Sequence, residues 1–490
     1  MTRFGLTLGA LFLGLHAAHV FAIDWTDMPE LPNLPDAIGD PLWTKPPTLK
    51  MGPNLPDGVP IVCPAPVDLT QALTLSEVID LALCNNPQIK QAWAVIKIQA
   101  GAVGEARSAY LPTASASFSP QQTQVNYPQY PYANTITNGH MAYANLTWRL
   151  FDFGGRAANR ASANLLLEAA LASHDASVQK AMAATIQSFF DVLTAKATVK
   201  AKAQAADFAQ SSWQATLRRE NKGVFAKSDT LQAQTALAKA QLASSRASGD
   251  YHKAQAALIF AMGLPTNTQL TLQESEGRSA RQDSKDLNAW LANAEEEHPA
   301  IKAAKAQWES AKEKIATARA AGLPTLDFVG NFYQNGYPNQ GLQPTNANTS
   351  TVGLTLTIPI FEGFGTTYKI RGQQAQAEKA QAEFEDTTHQ ILTEIVKSYA
   401  DAVSSLANLE SSQKLLEAAT NAVDSSVKRY DKGVADILEL LSTQTALAEA
   451  QQERIRCIAE YRSARLRLLA NAGILGHDLE SKSARLESHQ

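Results

Sequence analysis

Three features carry residue types that could do chemistry. Asp152-Phe153-Gly154 is the metal-binding tripeptide of kinases, but no glycine-rich loop, strand lysine or catalytic loop accompanies it. It reads as a turn from strand to helix. Glu295-Glu296-Glu297-His298 offers four possible metal ligands, yet consecutive residues on a helix point in different directions, so a solvated face is expected. The nine histidines are scattered without ligand spacing, and no phosphate loop, nucleophile elbow or dinucleotide fingerprint occurs. The expectation is no enzyme, no metal and no cofactor. The third feature is the cysteines Cys63, Cys84 and Cys457. In an oxidising compartment Cys63 and Cys84 could pair and leave Cys457 a thiol; the alternative is three free buried thiols.

The compartment follows from the N-terminus. Arg3 precedes an apolar, small-residue run from Phe4 to Val20, and Val20-Phe21-Ala22 fits a cleavage site, so residues 1–22 read as a secretory signal. No lipobox precedes a first mature cysteine, and no later run of about 18 apolar residues could form a transmembrane helix. The 490 residues are 45% hydrophobic and 18% charged with net charge −4, a balance that gives no argument for nucleic acid, which would want a basic patch, and none is expected as a partner. Eleven of the 22 prolines fall between Pro29 and Pro66, so residues 23–72 are expected to form an extended arm and not a helical domain.

The elements that follow are written twice. "CNNPQIK" at Cys84 answers "EEHPAIK" at Glu296, and "ARSAYLPT" at Ala106 answers "ARAAGLPT" at Ala318, both at a spacing of 212. "LFDFGGR" at Leu150 answers "IFEGFGT" at Ile360, and "NKGVFAKSDTLQAQTALAKAQ" at Asn221 answers "DKGVADILELLSTQTALAEAQ" at Asp431, both at 210. Four landmarks in one order point to a duplication: residues 73–285, residues 286–475, and a tail, 476–490.

Each copy predicts a helix of about 37 residues (Thr74–Tyr110, Leu287–Gly322), two strands, a long helix (about Gly155–Glu220, Phe364–Tyr430) and a helix of about 35 residues. Gly223 and Gly433 suit left-handed caps after the long helices, and loops rich in Pro, Asn, Gly and Gln separate the strands (Gln121–Gly139, Gln334–Ser350). About 65 residues at 1.5 Å each is roughly 100 Å. The two shorter helices together are nearly as long, so stacked end to end they can flank the long one. Met182, Ile186, Phe189 and Leu193, and their counterparts Leu392, Val396, Tyr399 and Val403, form a coiled-coil-like stripe.

The strands alternate. In "TVGLTLTIPIF", Thr351–Phe361, the residues Val352, Leu354, Leu356, Ile358 and Ile360 form an unbroken aliphatic face, with Thr355 and Thr357 opposite. Met141–Phe151, Thr325–Tyr333 and, more weakly, Thr113–Ser119 do the same. Segments of 9–11 residues match tilted transmembrane strands, with lipid on one face and a watery lumen on the other. Four strands cannot close a membrane barrel, and an open edge in lipid leaves backbone groups unpaired. Other copies of the chain must complete it.

The duplicated "ARSAYLPT"/"ARAAGLPT", the turns "LFDFGGR" and "IPIFEGFG", and "RYDKGVADILELLSTQTALAEAQ" resemble the TolC-like outer membrane factor family of Gram-negative bacteria, over about Leu73 to Leu475. The resemblance implies an α+β fold: a long α-helical coiled-coil barrel in the periplasm joined to antiparallel transmembrane strands in the outer membrane, completed as a homotrimer. It also implies a passive export conduit that meets a periplasmic adaptor (membrane fusion protein) and an inner-membrane pump of the ABC or another class. "ALCNNP", the paired cysteines and the missing lipobox look more like members serving type I export of large proteins or toxins than like drug-efflux members. A multidrug or small-molecule efflux channel is the alternative; an exported, non-membrane coiled-coil structural protein is the second. At the periplasmic end Asp229, Tyr430 and Glu439 fall on family gate positions. The family's gate arginine is Ala435 here and its second acidic ring is Ser442, so the closing ion pair is expected to be weaker or remade through Lys432 or Asp436.

Overall fold

The computed structural model describes residues 71–126, 128–129, 135–223, 226–273, 286–336, 347–432 and 434–474. All of them belong to one unit, Leu49–Gln490. The signal, Cys63, Gly433, the C-terminal tail and nearly all of the proline-rich arm lie outside the described residues.

The helices come in matched sets. The first repeat holds α1 (Leu75–Asn85), α2 (Pro87–Ser108), α3 (Gly155–Asn221) and α4 (Lys227–Ala261), of 11, 22, 67 and 35 residues. The second holds α5 (Leu287–Glu297), α6 (Pro299–Ala320), α7 (Gly365–Asp431) and α8 (Ile437–Asn471), again of 11, 22, 67 and 35 residues. No described helix is long and apolar enough to cross a membrane.

The single helix expected at the start of each repeat is two. Proline cannot donate the helical hydrogen bond and its ring clashes with the preceding turn; at the first position of a new helix neither matters. Pro87 and Pro299 take that position. The residue before each caps the new helix: Asn86 Oδ1 accepts from Gln88 N at 2.8 Å and His298 Nδ1 from Ala300 N at 3.2 Å. The same side chains reach across the break. Asn86 Nδ2 donates to the Ala261 carbonyl at 3.1 Å, and the Asn471 carbonyl accepts from His298. Each cap therefore binds the last turn of the 35-residue helix to the first turn of the 22-residue one. Gly263 and Gly473 end the longer helices at φ +68° and +75°. A Cβ there would lie 2.6 Å from the Asn85 carbonyl oxygen or 2.8 Å from Pro299 Cδ, so the close approach requires glycine.

α3 packs on α2, α4, α6 and α8, and α7 packs on α5, α6 and α8. The main core gathers where the short helices meet the middle of α3: Val178, Met182, Ile186 and Phe189 with Val78, Leu258, Met262, Trp290 and Leu469. In α7 the matching stripe is half open. Leu392 and Tyr399 are partly buried against this core, but Val396 and Val403 are exposed.

Between the helices lies one antiparallel sheet in the order β1-β2-β3-β4. Its strands are β1 (Thr113–Val125), β2 (Thr135–Phe151), β3 (Thr325–Asn335) and β4 (Ala347–Thr357). β1 and β2 run further into the loop than the alternation indicated, because Gln121–Val125 pair with Thr135–Gly139 despite their polarity. β4 begins and ends four residues earlier than expected. Its partner β3 starts at Thr325, opposite Thr357, and Pro359 has no N–H to offer. Ile358 and Ile360 therefore lie beyond the strand, exposed on the way into α7.

Sharp turns join the sheet to the long helices. Phe153 and Gly154 precede α3 at φ 51° and 86°; Gly363 and Phe364 precede α7 at φ 60° and 65°. The tripeptide Asp152-Phe153-Gly154 is this strand-to-helix turn. Its carboxylate accepts from the Arg156 backbone N–H at 2.8 Å and from Arg156 Nε at 3.1 Å.

Candidate functional site

Two surfaces carry functional geometry: one face of the sheet, and the turns where the long helices end.

The register gathers most of the apolar strand residues on one side, with Met141 and Val329 on the other. Ala114 faces Leu146, Leu146 faces Gly330 and Gly330 faces Val352; Trp148 faces Phe328, and Phe328 faces Leu354; Leu326 faces Leu356. Because side chains alternate strictly, these rows share a face. That face has no covering layer: Val352, Leu354 and Leu356 are 72%, 64% and 61% exposed. The opposite face is knitted by polar groups. Tyr143 Oη and Asn145 Nδ2 donate to Asn331 Oδ1 at 2.9 and 2.7 Å, Thr147 Oγ1 donates to Asn145 Oδ1 at 3.0 Å, and Arg149 pairs with Asp327 at 2.9 Å. Apolar area outside and hydrogen-bonded polar area inside suit a sheet between lipid and water. β1 and β4 are both edge strands, each with one unpaired side.

At the far end of the long helices Tyr430 is buried with Ile437 and Leu440. Burial pushes its phenol above the ordinary value; Arg219 opposes this, while Asp229 and Asp431 add to it. Asp229, in the first turn of α4, acts on the Tyr430 phenol through its charge. Glu439 is on the next turn but bonded elsewhere: its carboxylate pairs with Arg429 at 2.9 Å. Lys432 caps α7 by its backbone and is in no ion pair among the described residues. Asp436 caps α8, accepting from Glu439 N at 2.8 Å. Ala435 packs against the apolar cluster.

Arg219, Arg429 and Asp431 were missed. Arg219 Nη2 pairs with Asp431 Oδ1 at 3.1 Å, Nη1 donates to the Tyr430 carbonyl at 3.3 Å, and the guanidinium lies 4.9 Å from the Tyr430 ring centroid. This joins the end of α3 to the end of α7. A signal was present in the sequence: Arg219 and Arg429 stand at the repeat spacing of 210, as do Asp229 and Glu439.

Cys84 has its sulfur in a disulfide and Cys457 is a free, buried thiol. Among the described residues no group of three or more His, Cys, Asp or Glu side chains could hold a metal. His298, the histidine of the acidic tetrapeptide, is buried at its helix cap, away from the exposed Glu295, Glu296 and Glu297.

Comparison with known proteins gives one family. The outer membrane efflux protein model matches residues 78–264 and 290–473. Protein CyaE of Bordetella pertussis is 33% identical over 416 residues, covering 84% of this chain and 87% of the relative. Outer membrane protein TolC of Escherichia coli is 23% identical over 424 residues, 83% of each chain. Among solved structures, the Campylobacter jejuni CmeC outer membrane channel aligns with a TM-score of 0.73 at 17% identity, over 82% of this chain and 86% of that one. With its fold and both repeats matched, the chain belongs to the outer membrane efflux protein family and is a channel of the Gram-negative outer membrane, not an enzyme.

Proposed function

We propose that this chain is the outer membrane duct of a type I export system and carries a protein from the periplasmic side to the exterior. In this reading three copies close the barrel and the tunnel, a periplasmic adaptor grips the helices, and an ABC-class pump in the inner membrane supplies the energy. The observation that carries the channel reading is the sheet: one continuous exposed apolar face, one hydrogen-bonded polar face, and two open edges. Closure by copies is supported by the unequal long helices. Ile186 of α3 is buried, whereas its counterpart Val396 in the equally long α7 is exposed.

Protein cargo is supported by relatives named for it: the alkaline protease secretion protein AprF of Pseudomonas aeruginosa, 25% identical over 63% of this chain, and the proteases secretion protein PrtF of Dickeya chrysanthemi, 25% identical over 33%. A small-ion or drug cargo is the second reading, favoured by the cobalt-zinc-cadmium resistance protein CzcC of Cupriavidus metallidurans at 25% identity over 55% of this chain. Removing the gene separates them. Loss of a large secreted protein from the medium with unchanged drug and metal tolerance supports protein export. Lost tolerance with intact secretion overturns it. Crosslinking from the tip residues in cells identifies the adaptor and the pump.

A further inference from the structure

The sheet is almost free of charge. Arg149 and Asp327 are the only Asp, Glu, Lys or Arg residues in its four strands. No such residue occurs anywhere between Arg107 and Arg149, nor between Asp327 and Glu362, in a chain that is 18% charged. The two stand opposite each other on the polar face, at the helix end of β2 and β3. From there outward that face presents neutral groups, among them Thr147, Asn145, Asn331, Tyr143 and Tyr333. The pair is lopsided. Arg149 Nε donates to Asp327 Oδ1 at 2.9 Å and Nη2 to Oδ2 at 3.3 Å, which uses one edge of the guanidinium. Nη1 has no hydrogen-bond partner among the described residues, and the edge formed by Nη1 and Nη2 can grip a second carboxylate with two parallel bonds. The Arg149 side chain is 46% exposed and that of Asp327 only 14%, so the acid lies against the strands and the cation points into the open. The backbone beneath is pinned, because the Arg156 guanidinium donates to the Arg149 carbonyl at 2.7 Å and to the Leu150 carbonyl at 3.1 Å. The duplication does not repeat the pair: Ser115 stands 212 residues before Asp327 and Pro359 stands 210 after Arg149. Joining strands therefore does not by itself call for it.

We infer that Arg149 is a carboxylate-binding station on the export path: its outward edge takes acidic side chains of a protein in transit as they enter the sheet-lined part of the duct. This rests on reading the polar face as the lumen. The planar fork of an arginine grips a carboxylate at two points, where a lysine would offer only a point charge. A pair exposed to water holds weakly, which suits a cargo that must move on. Beyond Arg149 the polar face has no second cation to hold the carboxylate. An acidic segment is thus held once and then released into a neutral passage.

The test is block of single-channel current by a decaglutamate peptide added on the extracellular side of the full-length oligomer in planar lipid bilayers, using only oligomers that survive SDS without heating. Wild type should be blocked at low salt, and the block should fade at about 1 M KCl as the charges are screened. Arg149→Gln should weaken the block about tenfold, and Arg149→Lys should fall between. Asp327→Asn should strengthen it, because it frees the other edge of the guanidinium. A pair that served only to join β2 to β3 would make Arg149→Gln and Asp327→Asn act in the same direction. The control for the lumen is Thr351→Arg, on the same face and four residues further out along β4 than Thr355, the neighbour of Asp327; it should also strengthen the block. If Arg149→Gln leaves the block unchanged, or Asp327→Asn shifts it the same way as Arg149→Gln, while Thr351→Arg strengthens it, the station is wrong and the lumen reading stands. If Arg149→Gln and Thr351→Arg both change nothing, the polar face does not line the lumen and the station falls with it.

Discussion

The duplicated helix junction makes one half of the molecule sensitive to pH. Both junctions use a polar cap that accepts from the new helix and donates to the old one, but the first uses an amide, Asn86, and the second an imidazole, His298. Burial lowers the His298 pKa from 6.5 to about 4, with the Asn471 carbonyl opposing part of the shift. The neutral ring is the one the junction needs, because protonated Nδ1 cannot accept from Ala300 N. In the unfolded chain the imidazole takes a proton near pH 6.5; in the folded chain it resists until about pH 4. The stability present above pH 6.5 is therefore lost progressively as pH falls to about 4. Two and a half pH units at ~1.4 kcal/mol each amount to about 3 kcal/mol per chain. His298→Asn installs the first repeat's solution, keeps the cap and removes the proton. The assay is denaturant unfolding of the helical circular dichroism signal at pH 7 and pH 4.5, for wild type and His298→Asn. Carboxylates titrate in both, so the difference isolates His298. Wild type should lose about 2–3 kcal/mol more than His298→Asn on acidification. Equal losses would refute the junction argument.

Three further outcomes are expected. Leu356→Arg should cost about 2–4 kcal/mol of stability in lipid if it lies near the midplane, whereas Thr355→Arg, on the polar face, should assemble normally and alter ion selectivity; equal assembly defects would contradict the two-faced sheet. Gly473→Ala and Gly263→Ala should each destabilise by more than Gly223→Ala, which meets open space and suffers only the left-handed strain of roughly 1–2 kcal/mol; equal melting shifts across the three would contradict the close junction. Cys63 should be the disulfide partner of Cys84, closing a loop of about 20 residues and contributing about 3 kcal/mol in the chain-entropy picture; mass mapping that finds Cys63 as a free thiol would contradict this.

Much of the fold was legible because duplication wrote it twice. Helix lengths follow from matching turns at Lys222-Gly223 and Lys432-Gly433, and strand faces follow from Leu354 and Leu356 alternating with Thr355 and Thr357. The breaks at Pro87 and Pro299 were misread as helix interior, because the caps Asn86 and His298 act through a neighbouring helix remote in sequence. The early end of β4 depends on where β3 begins, which alternation within β4 does not encode. At the tip, Asp229, Tyr430 and Glu439 were marked by family position, but Arg219 crosses between repeats to reach Asp431. Residues 212 apart in the chain meet there only once both long helices are in place.

The central claim is that copies of this chain complete the barrel through their open edges. Duplication fixes the register: Asn145 opposite Asn331 within the chain corresponds to Thr355 opposite Ser119 of a second copy. The most direct measurement is oxidation of a Ser119→Cys, Thr355→Cys variant in outer membranes, read on a non-reducing gel after full denaturation. The expected result is a covalent ladder that ends at a closed trimer and collapses to monomer on reduction, with Ser119→Cys, Leu356→Cys, one residue out of register, crosslinking far less. Monomer alone from the in-register variant, or equal crosslinking from both, would contradict the claim.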